Sequence, residues 1–129
     1  MKSRDTLIRL KRFQVDEKRR RVAQIEMMIA EFDRMAADLD REIAAEEQKA
    51  GITDLNHFAY PTYARAAAQR RDNLRLSAQN LHIQLDVAKG ALGEAFEDLK
   101  RAECLEDRER SLDAAISQVG QGRAIRATA

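Results

Sequence analysis

The sequence has few of the residues that build a compact core and few of those that interrupt a helix. It contains no tryptophan, and aromatic residues make up only 5% of its 129 residues. Large aromatic side chains dominate the apolar contacts of many cores, so a compact globular fold is not expected. The chain has five glycines and one proline, and 35% of its residues are charged. This composition is typical of coiled coils and long helices.

Cysteine, an excess of one charge and long apolar runs are also scarce. The single cysteine, Cys104, has no second cysteine with which to form an internal disulfide. The formal net charge of +1 creates no overall field for nucleic acid or an anionic membrane, so partner choice must depend on local patches. No segment approaches the roughly eighteen apolar residues of a membrane-spanning helix. Residues 1–5 are polar, unlike a signal peptide, and we expect a cytoplasmic protein.

Residue types that can carry catalysis are present, but not at the spacing that catalysis requires. No glycine-rich loop precedes a Lys-Ser or Lys-Thr pair, so the phosphate-binding motif of ATPases is missing. His57 and His82 have no partner at the spacing of metal ligands. Cys104 lies among acidic residues, which disfavour a nucleophilic thiolate. We therefore expect no enzyme activity, no cofactor and no metal ion.

Helix-breaking residues are concentrated in one short region. Residues 2–50 contain no glycine or proline. Gly51 then suits a left-handed helix cap, and Pro61 suits the first turn of a new helix. We predict a single hairpin domain at 1–119, with helices at about 3–50 and 62–119 and a loop at 51–61. Gly120 and Gly122 are expected to end the second helix, leaving a flexible tail at 120–129.

Apolar residues recur every seven positions in both predicted helices, which indicates a left-handed coiled coil. The first helix carries Ile8, Val15, Val22, Ile29, Ala36 and Ile43 on one line, with Ile25, Phe32 and Leu39 on a second. The second helix carries Ala78, Leu85, Leu92 and Leu99 on one line, with Leu74, Leu81, Ala88, Ala95 and Ala102 on the other. Because the loop reverses the chain, the predicted fold class is all-α, a long antiparallel two-helix coiled-coil hairpin.

Two parts of the second helix are predicted to pair less well. Near Ala88 and Ala95 the seam is lined by alanine, which buries little apolar area. Gly90 and Gly93 lie on the outer face there, either as tolerated surface glycines or as a bendable zone. Further along, the stripe shifts by one position, and the C-terminal third is expected to pair less tightly. The shifted residues are Leu105, Leu112 and Val119.

The charge distribution independently favours the antiparallel arrangement. Residues 2–21 hold nine basic and three acidic side chains, whereas residues 94–113 hold eight acidic and four basic ones. Folding back lays these segments on each other. Residues 31–47 are acidic as well, and they would face arginines that follow the loop. Those arginines are Arg65, Arg70, Arg71 and Arg75. A parallel pairing of two chains would instead juxtapose like charges.

Two surface features are candidate interaction sites. The first is a basic band near the N-terminus that includes Arg9, Arg12, Arg19 and Arg20. It either pairs with the C-terminal acids or contacts an acidic protein surface or nucleic acid. The second is the loop region, which gathers Leu55, His57, Phe58, Tyr60 and Tyr63. These side chains either cap the coiled coil or form exposed anchors for a partner, since aromatic residues are enriched at interfaces.

Three segments resemble the FliJ family of flagellar export proteins, particularly its alphaproteobacterial form. They are the opening stretch 7–20 (LIRLKRFQVDEKRR), the run 22–26 (VAQIE) and the loop 52–61 (ITDLNHFAYP). The likeness covers roughly residues 1–105. Heptads are common to all coiled coils, so the opening stretch and the loop are its more specific parts.

The resemblance implies a non-enzymatic part of the flagellar type III protein export apparatus, at its cytoplasmic face. FliJ-like proteins are similar to the stalk of rotary ATPases: the hairpin enters the hexameric export ATPase ring, reaches the cytoplasmic domain of the export gate and assists export chaperones. The chain would thus be peripheral to the membrane and would bind no nucleic acid. On this basis Arg9, Arg12, Arg19 and Arg20 would meet the ring. His57, Phe58, Tyr60 and Tyr63 would meet the gate.

Two other functions are compatible with the same residues. A nucleic-acid-binding helical arm would use the basic band, and its binding would weaken steeply with salt. A structural coiled-coil spacer would differ from the stalk in having no ATPase partner.

Overall fold

The chain folds into two long helices joined by a short loop. A computed structural model describes the backbone of Lys2–Thr128 and the side chains of residues 3–121. Helix α1 spans Lys2–Ala50 and helix α2 spans Thr62–Thr128, and the described residues include no strand. The two helices pack against each other, so the protein is an all-α helical hairpin.

The ends of the helices at the loop follow from backbone chemistry. Gly51 has a φ of +70°, and its N–H donates to the carbonyl of Glu47 at 2.8 Å. This is the left-handed cap that satisfies one of the last carbonyls of α1. Pro61 immediately precedes α2, where a missing N–H costs no helical bond, and its carbonyl accepts the N–H of Arg65 at 3.0 Å.

The seven-residue lines form the contact between the helices. All six members of the first line on α1 are buried, from Ile8 at 5% exposure to Ile43 at 6%. On α2 the buried members are Ala78, Leu81, Leu85, Ala95 and Ala102. Ile25, on the second line of α1, is also buried, and the remaining predicted members, such as Phe32 and Leu92, are half-buried. The heptad pattern is therefore confirmed by burial.

The contacts divide the chain into two compact units. The end unit comprises Met1–Arg19 and Gly90–Ala129, and the loop unit comprises Arg20–Lys89. In the end unit, Ile8 and Val15 of α1 are buried, as are Ala95 and Ala102 of α2. The loop unit holds Ile25, whose side chain is 1% exposed.

The shifted stripe of the C-terminal third is exposed, in agreement with the looser pairing predicted for this part of α2. Leu105, Leu112 and Val119 are 56%, 61% and 56% exposed. At the positions that continue the seam beyond Ala102, the residues are Glu106 and Glu109, and Glu109 forms an ion pair with Arg4. The shift by one residue turns Leu105 about 100° away from the seam position at Glu106. Leu112 and Val119 lie in a stretch, residues 110–121, in which every side chain is exposed whichever face it lies on.

The end of α2 differs from the expected one. The helix continues past Val119 through Gly120 to Thr128. Glycine lowers helix propensity but keeps the N–H that forms the helical hydrogen bond, so two glycines do not by themselves end a helix. The flexible tail expected at 120–129 falls largely on residues 122–129, whose side chains lie outside the described part of the chain.

Neither helix, over the residues that the structure describes, has a stretch that is both long and apolar enough to cross a membrane.

Candidate protein-interaction site

The loop is held by short-range hydrogen bonds that begin at Asp54. Its carboxylate accepts the N–H of Asn56 at 2.9 Å, and its carbonyl accepts the N–H of His57 at 3.1 Å. His57 continues the chain of turns: its carbonyl accepts the N–H of Tyr60 at 3.1 Å, and its Nδ1 accepts the N–H of Ala59 at 3.0 Å. These bonds satisfy backbone groups that a loop would otherwise leave to water. They give residues 54–60 a defined conformation.

Phe58 is the most exposed large apolar side chain of the loop. Its ring is 95% exposed and stacks on the ring of His57, with centroids 4.7 Å apart and planes inclined at 22°. Because Nδ1 of His57 is engaged by Ala59, the imidazole that supports Phe58 is itself anchored. Leu55, in the same loop, is 47% exposed. The loop therefore presents an exposed apolar side chain in a defined position.

Tyr60 does not present its ring to a partner, and this corrects the expectation for that residue. Its side chain is 5% exposed and belongs to a buried cluster with Ile43 and Ala64. The Tyr60 hydroxyl donates to Oε1 of Glu47 at 2.7 Å. The small side chains of α2 near the loop leave room for the ring, which caps the end of the seam. The complete cluster is Ile43, Tyr60, Ala64, Ala67 and Ala68, with Leu39 and Ile52 packed against it.

Tyr63 lies at the start of α2 and is partly available. It is 56% exposed, and its hydroxyl donates to Oε2 of Glu42 at 2.7 Å. This hydrogen bond, followed by the negative charge of Glu42, raises the pKa of Tyr63 above 10.0. The hydrogen bond to Glu47, followed by burial, likewise raises the pKa of Tyr60. Both phenols stay neutral at physiological pH; Tyr60 connects the loop to α1, and Tyr63 connects the start of α2 to α1.

Below the loop, the predicted pairing of acids on α1 with arginines on α2 is present. Asp40 accepts from Arg71 at 2.9 Å and from Arg75 at 2.5 Å. The hydrogen bond with Asp40 is the main reason that the pKa of Arg71 is raised. Arg65 instead lies over the ring of Tyr60, 5.6 Å from its centroid. This cluster fixes the register of the loop unit.

The predicted basic residues differ in their surroundings. In the end unit, Arg12 is 3.7 Å from Glu103, and Arg19 lies 4.9 Å from the centroid of Phe96. Arg9 and Arg20 are exposed, and among the side chains of residues 3–121 neither has an ion pair. The structure therefore supports charge pairing for Arg12 and leaves Arg9 and Arg20 available.

One surface was not recognised from the sequence. Leu76, Ile83 and Val87 are exposed on the outer face of α2, at 58%, 65% and 71%. A second seven-residue pattern, Leu76 to Ile83, was the signal that could have revealed it. The main heptad hid this pattern because it accounts for a larger number of apolar residues.

Side chains that could ligate a metal do not cluster: over residues 3–121, no three His, Cys, Asp or Glu side chains are grouped suitably. The fold and surfaces define an all-α helical hairpin with an exposed aromatic loop. The chain matches no protein-family model, no curated protein and no solved structure.

Proposed function

We propose that this chain is a non-enzymatic component of a flagellar type III protein export apparatus, acting at its cytoplasmic face. In this proposal the hairpin inserts into the hexameric export ATPase ring, links the ring to the export gate and assists export chaperones. The resemblance of segments 7–20 and 52–61 to the FliJ family motivates it.

The observation that carries the proposal is the exposed Phe58 on an ordered loop. A phenylalanine that is 95% exposed buries almost no apolar area within the hairpin, so burial does not account for its presence in the loop. Stacking on His57 restricts the ring before any partner arrives, so less conformational entropy is lost on binding. Pre-oriented aromatic side chains are typical of residues that dominate binding energy. This supports the loop as the contact with the gate.

The gate contact is tested by comparing Phe58→Ala with the control Met27→Ala. Met27 is 73% exposed on α1, so both variants remove an exposed apolar side chain. We expect Phe58→Ala to weaken binding to the cytoplasmic gate domain by about tenfold or more. Met27→Ala should bind as the wild type does, and both variants should keep the wild-type Tm. Unchanged gate binding by Phe58→Ala would remove the loop from the proposal.

The ATPase contact is assigned to the basic residues. Arg9 and Arg20 carry no ion pair in the described part of the chain, so an acidic surface could bind them without breaking an internal contact. We propose that they, with Arg12 and Arg19, face the ring.

This assignment is tested by measuring ATP turnover and hexamer assembly of the export ATPase with and without the protein. We expect stimulation by the wild type and a clear loss with the double variant Arg9→Ala/Arg20→Ala. The double variant Arg34→Ala/Arg41→Ala is the control, because both arginines are exposed on the same helix and, among the side chains of residues 3–121, form ion pairs with neighbours on α1. No effect of the wild type on the ATPase would favour the structural spacer.

A nucleic-acid-binding arm is a second candidate function, because Arg9 and Arg20 have no ion pair among the described side chains and could contact phosphates. Counterion release would then make the logarithm of affinity fall linearly with the logarithm of salt, by roughly 0.7–0.9 per phosphate contacted. Titration with single-stranded and duplex oligonucleotides at several salt concentrations measures this slope. This candidate is favoured over the export stalk if the protein binds an oligonucleotide tightly and in a salt-dependent way, and if Arg9→Ala/Arg20→Ala abolishes that binding. The protein should then also have no effect on the export ATPase.

A further inference from the structure

The outer face of α2 in the loop unit carries a second helical stripe. Leu76, Ile83 and Val87 are all more than half exposed. Ile83 lies about 160° around the helix from both Leu81 and Leu85, which are buried against α1. The stripe is thus on the side of α2 that faces away from the seam. Large apolar side chains in such an alignment mark an interaction surface.

The spacing of this stripe is that of a coiled-coil seam. Positions 73, 76, 80, 83 and 87 are separated alternately by three and four residues. Leu76 and Ile83 occupy one of the two seam positions. Asn73, Asn80 and Val87 occupy the other. All five side chains are exposed, and none is charged. An asparagine at this seam position is the device that sets register and oligomeric state in two-stranded coiled coils.

We propose that this stripe is a homotypic contact: two copies of the chain pack α2 against α2 in parallel, with each Asn80 against the Asn80 of the other copy. This interface is separate from the loop and from the basic residues of the proposed function, and it does not depend on that function.

The asparagines favour a second copy over an unrelated helix. A side-chain amide both donates and accepts, so two asparagines facing each other satisfy one another. Opposite an apolar residue, the same amide would be buried without a partner, which is costly. A parallel pair in register places each position opposite itself. Asn73 and Asn80 then meet their own equivalents, while Leu76 and Ile83 form apolar layers.

The flanking charges favour the parallel orientation. In the parallel register Asp72 lies beside Ser77 of the second copy, and Gln79 beside its Gln84, so no like charges meet. Two antiparallel alignments pair four of the five stripe positions, and in each of them Asn80 would face an apolar side chain, Leu76 or Ile83, of the second copy. In the alignment that pairs Asn80 with Leu76, Asp72 would also lie beside Asp86 of the second copy.

The size of the stripe sets the expected strength. Residues 73–87 make about four helical turns, and each copy contributes three large apolar side chains. Such a contact falls at the small end of specific interfaces, where association is weak and transient. Dimerisation should therefore depend on concentration.

The first test is analytical ultracentrifugation of the full chain across about a hundredfold range of concentration. We expect the wild type to shift from monomer to dimer and Ile83→Glu to weaken the dimer at least about tenfold. Met27→Glu is the matched control, because it places the same charge on an exposed site of α1, and it should dimerise normally. Val87→Glu provides a second variant should Ile83→Glu lower the helix content.

The second test is disulfide trapping in the background Cys104→Ser. In the proposed register, Asn80→Cys places two thiols within bridging reach across the dimer, because equivalent seam positions lie close together. We expect rapid cross-linking on mild oxidation, and none with Ala30→Cys on the exposed side of α1.

Three results would overturn the proposal. They are a wild-type chain that stays monomeric at every concentration, a dimer insensitive to both stripe variants, and a sensitive dimer in which Asn80→Cys fails to cross-link. A monomer whose stripe variants instead lose binding to another protein would assign the stripe to a different helix.

Discussion

Phe58 and Tyr60 are two residues apart in one loop and have opposite environments. Phe58 is 95% exposed on the ring of His57, whereas Tyr60 is 5% exposed inside the cluster with Ile43 and Ala64. The difference arises because Tyr60 directly precedes the proline at the start of α2, where the chain re-enters the seam. One aromatic residue therefore closes the hairpin, and the other is available to a partner.

The tyrosine pKa values predict a loss of stability in alkali. The pKa values of Tyr60 and Tyr63 are raised above 10.0, chiefly by their hydrogen bonds to Glu47 and Glu42. A raised pKa in the folded state means that the stabilising contribution is present below pH 10.0 and is lost as pH rises through the folded pKa. We expect the Tm from circular dichroism to fall above that pH.

The double variant Tyr60→Phe/Tyr63→Phe is the control for this prediction. It should have a lower Tm than the wild type at neutral pH, because both hydrogen bonds are lost. Its additional fall in alkali should be smaller, since Tyr60 and Tyr63 no longer titrate. If the Tm of the two proteins falls by the same amount as pH rises, the two tyrosine hydroxyls do not cause the loss of stability in alkali.

Among the residues that the structure describes, Gly51 is the one whose backbone conformation requires glycine. With a φ of +70° and no atom within 4 Å of an added Cβ, Gly51→Ala introduces conformational strain and no clash. We expect this variant to lower the free energy of unfolding by about 1–2 kcal/mol, measured by urea denaturation. A variant as stable as the wild type would show that the left-handed cap contributes nothing to stability.

At the scale of the elements, Gly90 and Gly93 of α2 give the opposite prediction. Both are helical, and a Cβ added at either would have nothing within 4 Å. Because alanine is the better helix former, each substitution by alanine should raise the free energy of unfolding by about 1 kcal/mol in the same urea experiment. If the alanine variants are more stable but bind a partner more weakly, Gly90 and Gly93 form a bendable zone that binding requires. If neither variant is more stable, the prediction that these two positions are helical and uncrowded is wrong.

For the whole molecule, cross-helix charge pairs select orientation more than they add stability. Asp40 of α1 contacts Arg71 and Arg75 of α2, and Arg12 of α1 lies opposite Glu103. Most of these groups are substantially exposed, and exposed pairs contribute about 0–1 kcal/mol each. These charge pairs matter because only one antiparallel register of α1 and α2 brings the oppositely charged side chains together.

A double-mutant cycle on Asp40 and Arg75 measures this contribution. We expect Asp40→Ala and Arg75→Ala each to destabilise, and the double variant to lose less than the sum of the two. The coupling energy from urea denaturation should be about 0.5 kcal/mol and should shrink at high salt. Simple additivity at low salt would mean that the pair does not form in solution.

Most of the fold was predictable because it follows from local chemistry. The buried line from Ile8 to Ile43 is a strict repeat, and a repeat over many turns leaves one helical face that can be buried. The cap at Gly51 was predictable because only glycine adopts positive φ at little cost. The C-terminal end of α2 was not, because glycine weakens a helix without removing its hydrogen bonds.

The candidate site was only partly predictable. The sequence places several aromatic residues in one loop but does not say which side chain points inward, since both Phe58 and Tyr60 are large and apolar. Likewise, the sequence shows arginines near the N-terminus without showing that Arg12 has Glu103 as a neighbour while Arg9 has no ion pair among the described side chains.

The sequence by itself determined the helical hairpin, its seam and its antiparallel charge pairing, because periodicity, caps and charge blocks are properties of nearby residues. Tertiary structure alone decided the inward turn of Tyr60, the outward turn of Phe58 and the exposure of Leu76, Ile83 and Val87. Whether each of these side chains is buried or exposed depends on how α1 and α2 pack against each other, and nearby residues in the sequence do not determine that packing.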